Sequence, residues 1–402
     1  MNINEILTAS KKMQGILYRT PTIPVPWLSE KINGKVYFKL ENLQHTSSFK
    51  PRGALIKMLK LTDQQKAKGV VAMSAGNHAQ GVAFHAQRMN IPAIIVMPET
   101  TPAAKIERTR KYGATVILSG QNLAESEIAA RDLVKQGLTL IHPYDDEDII
   151  TGQGTVALEM LEDAPDIDTL IIPVGGGGLA AGCSLTAKAL KPQIKIYGVQ
   201  STACPAMIQA LYPERWFMPP ETNSLPMAEG IAVKNPGRLT ADILKTHLND
   251  ILAVNDTEIE DAIDALAMSG KIVAEGAGAA GVAALMKNVE HFYGKSIGII
   301  ICGGNIDSRV LSSLMMHSLV RQEKLIRLKI KIPDTSGTLA KVTGIIGRLG
   351  GNIFELIHQR HFTSYSSKMT VLEVTIETRG QEHSQQIMQE LINAGYITSL
   401  YH

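Results

Sequence analysis

The chain has 402 residues, room for roughly two or three domains, and its 40 basic side chains against 38 acidic ones leave a net charge of only +2. That balance excludes a broad electrostatic footprint for nucleic acid. The three cysteines, Cys183, Cys204 and Cys302, lie far apart, form neither a disulfide framework nor a metal-ligand spacing, and point to a reducing compartment.

Met1 to Gln14 carries no apolar core flanked by a cleavage site, and no apolar run reaches the ~18 residues of a membrane span. The expectation is a cytoplasmic protein with no membrane, nucleic-acid or metal partner. Short apolar runs then alternate with helical stretches. Val36 to Leu40 reads as a strand and Pro51 to Leu61 as a helix. Val70 to Met73 is a strand ending at Ser74-Ala75-Gly76-Asn77-His78, followed by a helix through Ala86. Ala93 to Met97 stops at Pro98, and Thr115 to Leu118 stops at Gly120. Thr169 to Pro173, Ile194 to Val199 and Ile297 to Cys302 follow as further strands. Strands spaced by helices imply an open parallel sheet, which binds ligands at the carboxyl ends of its strands. Asn77, Gly175 and Cys302 each fall at or just after such an end; Lys50 fits less closely, because a longer loop separates it from Leu40.

The pattern changes at Arg321 to Lys324. Ile326, Leu328, Ile330 and Ile332 alternate with Arg327, Lys329 and Lys331, a period of two with one wet face. Pro333 to Gly337 turns the chain, and Leu339, Val342, Ile346 and Leu349 fall at helical spacing before Gly350-Gly351. Asn352 to His358 and Met369 to Glu377 read as a strand pair, Gln385 to Asn393 as a helix and Ile397 to Tyr401 as a last strand. The order is βαββαβ, a ferredoxin-like unit. No repeats and no low-complexity tracts occur.

Two segments carry chemistry. Lys50 lies in Ser47-Ser48-Phe49-Lys50-Pro51-Arg52-Gly53, an amine on a small-residue turn. Val174 leads into Gly175-Gly176-Gly177-Gly178-Leu179, a bare backbone at the mouth of a helix. An aldehyde cofactor bearing a phosphate needs both, an amine to condense with and N–H groups around the anion. The blander readings are a helix N-terminal cation for Lys50 and a flexible turn for the glycines. Four consecutive glycines lose much entropy on folding, which favours the anion cradle. No Lys-Ser/Thr pair closes the loop as a Walker motif would.

SSFKPRGA, SAGNHAQG, GQGT, VGGGGLAAG, AEGAGA and CGGNID, spread from about residue 5 to residue 320, resemble the threonine and serine dehydratases of the pyridoxal-phosphate family. PDTSGTLAKV and GGNIFEL resemble the ACT regulatory domain. The arrangement is similar to the medium-length threonine ammonia-lyases. It implies an α/β chain of the tryptophan-synthase-β-like fold (fold type II), with open parallel sheets in two subdomains. The catalytic part is expected over residues 1–320, its small subdomain over about 46–145, and the ACT-like domain over 325–402.

The resemblance implies pyridoxal 5'-phosphate as cofactor. Lys50 would carry it and then take the α-proton, with Phe49 packed on the ring. Asn77 would bond the phenolic oxygen, and Gly175, Gly176, Gly177, Gly178 and Leu179 would bind the phosphate. Ser74, Ala75, Gly76, Asn77 and His78 would receive the substrate carboxylate. Gly230 and Glu275 would lie near the ring.

Cys302 would face the pyridine nitrogen, and the blander description, a small buried residue at a strand end, is compatible with that role. A thiol, with an ordinary pKa of about 8.5, is no carboxylate able to keep that nitrogen protonated, which disfavours transamination and suits elimination. Hydroxide is a poor leaving group, and in this family the cofactor phosphate is the usual candidate to protonate it. Ala75 stands where the related racemases place a serine, so a second base is missing. Gln200 to Ala206 lacks the carboxylate of the racemases' divalent-cation site. His85, His142 and His291 read as ordinary histidines, and Cys183 and Cys204 as packing residues.

The expected activity is β-elimination of L-threonine to 2-oxobutanoate and ammonia, with L-serine slower. A serine-preferring dehydratase, a serine racemase and a non-catalytic amino-acid sensor are the competing readings. In the ACT-like domain, Ser336, Gly337, Thr338 and Leu339 at a helix N-terminus, with Asn352, would bind an amino-acid effector, isoleucine or valine. Such domains pair, so a homodimer or homotetramer is expected.

Overall fold

The computed structural model of the chain describes residues 1–215, 217, 226–360 and 368–400. It divides into two compact units, Met1–Ile306 and Asp307–His402.

Two sheets build the first unit. The smaller has the strand order Thr115–Leu118, Ala93–Met97, Val70–Met73 and Thr139–Leu140, all parallel. Its inner strands are continuous apolar runs because helices cover both faces, as in parallel sheets generally. Val70, Ala72, Ile95 and Met97 pack with Ala79, Val82, Ala83 and Ala86 of the helix Asn77–Arg88. The larger sheet runs Thr22–Pro24, Lys35–Leu40, Ser296–Ile301, Thr169–Pro173, Lys195–Ser201 and Asp250–Val254. Every pair in it is parallel except Thr22–Pro24, which runs antiparallel along Lys35–Leu40. That edge strand has three residues and a proline, too short for a periodic signal and tolerable only at an edge, where a missing N–H costs no ladder bond. The two-residue strand Thr139–Leu140 and the strand Asp250–Val254 were equally silent in sequence. The strands Lys35–Leu40, Val70–Met73, Ala93–Met97 and Thr169–Pro173 lie within a residue of their expected limits.

The second unit holds an antiparallel sheet ordered Asn352–Gln359, Met369–Glu377, Leu325–Pro333, Ile397–Leu400. With the helices Thr338–Arg348 and Gln381–Asn393 it is the expected βαββαβ unit. Tyr401, the expected end of the last strand, lies outside the described residues. Ile326, Leu328, Ile330 and Ile332 form one buried face with Val342, Ile346, Leu372, Val374 and Ile376. Leu339, expected on that stripe, is exposed instead. The second helix starts at Gln381, a turn earlier than the apolar spacing implied, because Gly380 (φ 120°) breaks the chain there. The helix Ser308–Arg321 belongs to this unit and packs against Leu325–Pro333, so the division falls ahead of the expected 320–325 boundary. Among the described residues no helix is long and apolar enough to cross a membrane.

Candidate active site

Lys50 is the first residue of the helix Lys50–Leu59. Pro51 follows at a position where a helix leaves its N–H unpaired anyway. Thr46 and Ser47 turn through positive φ (62° and 54°), which swings the next residues onto the end of the strand Ser296–Ile301. Ser48 makes an antiparallel bridge with Gly303, Phe49 N–H donates to the Cys302 carbonyl (3.2 Å), and Gly304 N–H donates to the Ser47 carbonyl (2.9 Å). The long loop after Leu40 is thus stitched to a strand end, which explains the looser fit of Lys50 to the strand-end rule.

The Lys50 ammonium donates to the Pro143 carbonyl (2.8 Å) and stands 5.1 Å from the Phe49 ring centre. Burial draws its pKa down to about 8, against the pull of Cys302 and Glu275. Behind it, Arg52 is fully buried and forks onto Glu41 (2.7 and 2.8 Å) and Glu159 (2.7 and 2.8 Å), while Lys39 pairs with Glu159 (2.7 Å). This ionic cluster pins the Lys50 helix to the helix Glu147–Asp163 and to the strand Lys35–Leu40.

The glycine loop leaves the strand Thr169–Pro173 and enters the helix Gly178–Leu190. Gly177 takes φ 96°, which an L side chain rarely adopts. A Cβ on Gly176 would lie 2.3 Å from the Tyr144 ring, and one on Gly177 2.7 Å from Thr240. The Gly176 carbonyl is turned away and accepts from Thr240 Oγ1 (2.7 Å). Among the described residues none of the amides from Gly175 to Leu179 has a turn or capping partner, so they remain for an anion at the positive end of the helix.

Pro143, Tyr144 and Asp145 join the two halves. Pro143 receives the lysine and Tyr144 backs the glycines, with its hydroxyl on the Asn235 carbonyl (2.8 Å). Asp145 caps the helix Arg238–His247 through the amides of Arg238 and Thr240 (3.1 Å each). Sequence reasoning missed all three; their only signal is a Pro-Tyr-Asp turn after a strand too short to notice.

Asn77 opens the helix Asn77–Arg88. Its Nδ2 donates to Glu275 Oε1 (2.7 Å), and its Oδ1 accepts from Asn305 Nδ2 (2.8 Å). Burial pushes the Glu275 carboxyl up to about 7 and the Cys302 thiol well above its ordinary range. In the preceding loop Ser74 Oγ accepts from Gly76 N–H (3.1 Å), and the amides of Ala75, Asn77 and His78 lead into the helix. The His78 ring is buried on the Ile141 carbonyl (2.7 Å) and drawn down to about 3 by desolvation, so only its backbone serves the loop.

These residues suit pyridoxal phosphate: a partly desolvated amine, a glycine cradle walled by Tyr144 and Thr240, and an oriented amide. Gly230 lies beside Glu275, where a Cβ would be 3.3 Å from Oε1. Among the described residues no cluster of three or more metal-ligating side chains occurs.

In the C-terminal unit, Ser336, Gly337 and Leu339 line a cavity of about 250 Å³ with Ile332, Asp334, His358 and Arg360. Thr338 is buried at the start of its helix. Within one chain Asn352 lies apart from this cavity: it starts an edge strand opposite Glu377 and donates to that carboxylate (2.7 Å).

The profile of the family described as "Pyridoxal-phosphate dependent enzyme" matches residues 13–303. An L-threonine ammonia-lyase of Thermotoga maritima is 40% identical over 98% of both chains. A threonine deaminase of Solanum lycopersicum is 33% identical, with a TM-score of 0.73 over 79% of this chain and 87% of that one. Maize serine racemase is 34% identical, with a TM-score of 0.72 over 80% of this chain and 99% of that one.

Proposed function

The chain belongs to the pyridoxal-phosphate dependent enzyme family, and on that premise we propose that it is a threonine ammonia-lyase, converting L-threonine to 2-oxobutanoate and ammonia with L-serine as a slower substrate. One observation carries the reading. The segment Pro143-Tyr144 holds the Lys50 amine with one residue and backs the glycine loop with the next, which sets the amine and the anion cradle about one site.

Bound there, pyridoxal phosphate supplies the electron sink that acidifies the α-proton of an amino acid. Gly175 to Leu179 would hold its phosphate, Asn77 its phenolic oxygen, and Cys302 would face its ring nitrogen. Lys50, with a pKa of about 8, has an appreciable free-amine fraction near neutrality and accepts the α-proton at Nζ. The amides of Ala75, Asn77 and His78 orient the substrate carboxylate at the positive end of their helix. Cys302 stays a neutral thiol, which disfavours transamination and suits elimination.

Serine racemisation is the second reading, favoured by the likeness to maize serine racemase. Against it stands Ala75, which offers only a methyl group where a second base would act. Steady-state rates with threonine and serine, with a chiral assay of residual serine, separate a threonine lyase from a serine dehydratase and a racemase. A cofactor absorbance band lost on dialysis against hydroxylamine distinguishes an enzyme from a vestigial sensor.

The C-terminal unit, read as an ACT domain, would bind isoleucine or valine in the cavity at the start of the helix Thr338–Arg348. Helix amides and Arg360, which also pairs with Asp334 (3.5 Å), suit a carboxylate, and Leu339 a branched apolar side chain. Pairing of such units through the edge strand Asn352–Gln359, where Phe354 is exposed, would give a homodimer or homotetramer in the cytoplasm.

A further inference from the structure

We infer that Glu275 is a positioning residue, whose carboxyl group fixes the side-chain amide of Asn77 so that one Nδ2 hydrogen is kept for the cofactor. The inference rests on the reading that Asn77 serves the phenolic oxygen of pyridoxal phosphate.

Glu275 is the residue preceding the helix Gly276–Lys287, a place where a carboxylate ordinarily accepts from its own helix's amides. Its side chain makes no such bond. It accepts instead from Asn77 Nδ2 at 2.7 Å, across 198 residues of sequence. Two glycines make room for it: a Cβ on Gly303 would lie 2.3 Å from Oε1, and one on Gly230 would lie 3.3 Å away. At the other end of the amide, Asn305 Nδ2 donates to Asn77 Oδ1 (2.8 Å) and also to the Thr46 carbonyl (2.7 Å). A flip of Asn77 would set its oxygen against the Glu275 carboxylate and its nitrogen against the Asn305 donor. Both ends are therefore determined, and the second hydrogen on Nδ2 is left without a partner in this network.

Glu275 titrates near neutrality, at about 7, chiefly through desolvation; Asn77 and Lys105 pull it down and Glu229 pushes it up. Lys50 and Cys302 are the other titratable groups coupled to it. Protonation weakens the charge-assisted bond from Asn77. The hold on the cofactor should therefore loosen as pH falls through 7.

The test is pyridoxal-phosphate titration of apoprotein, followed by protein fluorescence between pH 6 and 8.5, on Glu275→Ala, Glu275→Gln, Asn77→Ala and the Glu275→Ala/Asn77→Ala double variant. Loss of a hydrogen bond to a charged group predicts a Kd for the cofactor raised about tenfold or more in Glu275→Ala. The kcat should fall with little change in the KM for threonine. Glu275→Gln still accepts through its amide oxygen and should restore affinity to within about threefold, but without the pH step near neutrality. The double variant should bind no worse than Asn77→Ala alone, because the two act as one unit.

Wild-type affinity in Glu275→Ala, additive losses in the double variant, or an unchanged pH step in Glu275→Gln would each overturn the inference. If Glu275→Ala does not fold, the pH step in the isosteric Gln variant decides by itself. Unchanged affinity in Asn77→Ala is a distinct result, since it refutes the cofactor reading of Asn77 and not the coupling alone.

Discussion

The backbone amide of Phe49 donates to the carbonyl of Cys302 at 3.2 Å, joining the residue before the lysine to the end of a strand from the far side of the unit's sequence. Closing so long a loop costs entropy that grows only slowly with length, and the neighbouring Ser48–Gly303 bridge shares that cost. The lysine is therefore held at the strand ends by these backbone bonds together with the Arg52 ion pairs behind it.

Lys50→Met should abolish turnover and the cofactor's protein-bound absorbance while stabilising the apoprotein. The folded pKa of Lys50, about 8, lies below the ordinary lysine value, so the unfolded chain binds the extra proton. The penalty is fully present below pH 8 and disappears above the unfolded value near 10.4. With allowance for the cleft's partial exposure, a gain of roughly 1–3 kcal/mol at pH 7 is expected. Thermal melts of the two apoproteins at pH 7 and pH 10.5 check it: equal offsets at both would refute the desolvation argument.

Arg52→Ala should destabilise the fold by roughly 3–5 kcal/mol, because it leaves Glu41 and Glu159 buried without their shared cation. Glu159 is held below its ordinary range in the intact protein, by Arg52 foremost among its partners. It therefore contributes stability above the unfolded pKa that is lost as pH falls through the folded one. The gap between variant and wild type should narrow below about pH 4, where Glu159 takes up a proton. Urea unfolding across pH measures this, and a gap independent of pH would assign the loss to packing.

Gly176→Ala places a methyl group where the Tyr144 ring stands, 2.3 Å from the Cβ position. Tyr144 is anchored through its hydroxyl to the Asn235 carbonyl, so the loop should move instead of the ring. Phosphate binding depends on aligned amides, and a cofactor Kd raised at least about tenfold is expected. Equilibrium dialysis of the apoprotein against pyridoxal phosphate provides the number; wild-type affinity would mean that the cradle tolerates the shift.

Much of this was legible in the sequence. Most strands of the parallel sheets announce themselves as apolar runs bounded by glycine or proline, and the glycines Gly175 to Gly178, between a strand and a helix, suggest an anion cradle. The parts that stayed hidden are those whose meaning depends on distant partners. Asp145 caps a helix that begins more than ninety residues later, Asn305 orients Asn77, and Arg52 is a buried hub although arginine usually lies at the surface. Leu339 misled for a different reason. Its helical spacing fits a core stripe, yet the residue lines a cavity, and periodicity cannot tell a core contact from a ligand contact.

Ala75→Ser should raise serine racemisation relative to dehydration. Ala75 lies between the strand Val70–Met73 and the helix Asn77–Arg88, beside Ser74, whose hydroxyl oxygen accepts from Gly76 N–H. By the family resemblance, a hydroxyl at 75 would lie on the face of the α-carbon opposite Lys50. Chiral chromatography of the serine left after partial turnover tests this. D-serine no higher than in wild type would show that a hydroxyl at 75 is insufficient for the second proton transfer.

The last prediction concerns control through the C-terminal unit. Gly337 takes φ 83° immediately before the helix Thr338–Arg348, and nothing lies within 4 Å of a Cβ built on it. Gly337→Ala therefore meets no clash, but it forces an L side chain into a left-handed turn at a cost of roughly 1–2 kcal/mol. Relief of that strain would rotate the Ser336 and Gly337 backbone away from the cavity they line with Arg360 and Leu339. If isoleucine binds there and shifts a two-state equilibrium, the coupling should be roughly 1–3 kcal/mol, a change in threonine affinity of about five- to a hundred-fold. The variant should then need more isoleucine for the same shift, by about tenfold, while its threonine saturation curve without effector stays that of wild type. Asn352→Ala, whose amide is engaged with Glu377 outside the cavity, should leave isoleucine potency nearly unchanged. Threonine saturation curves across isoleucine and valine titrations decide between the positions. A wild-type curve unmoved by either amino acid would refute feedback through this cavity and leave the unit the task of assembling subunits.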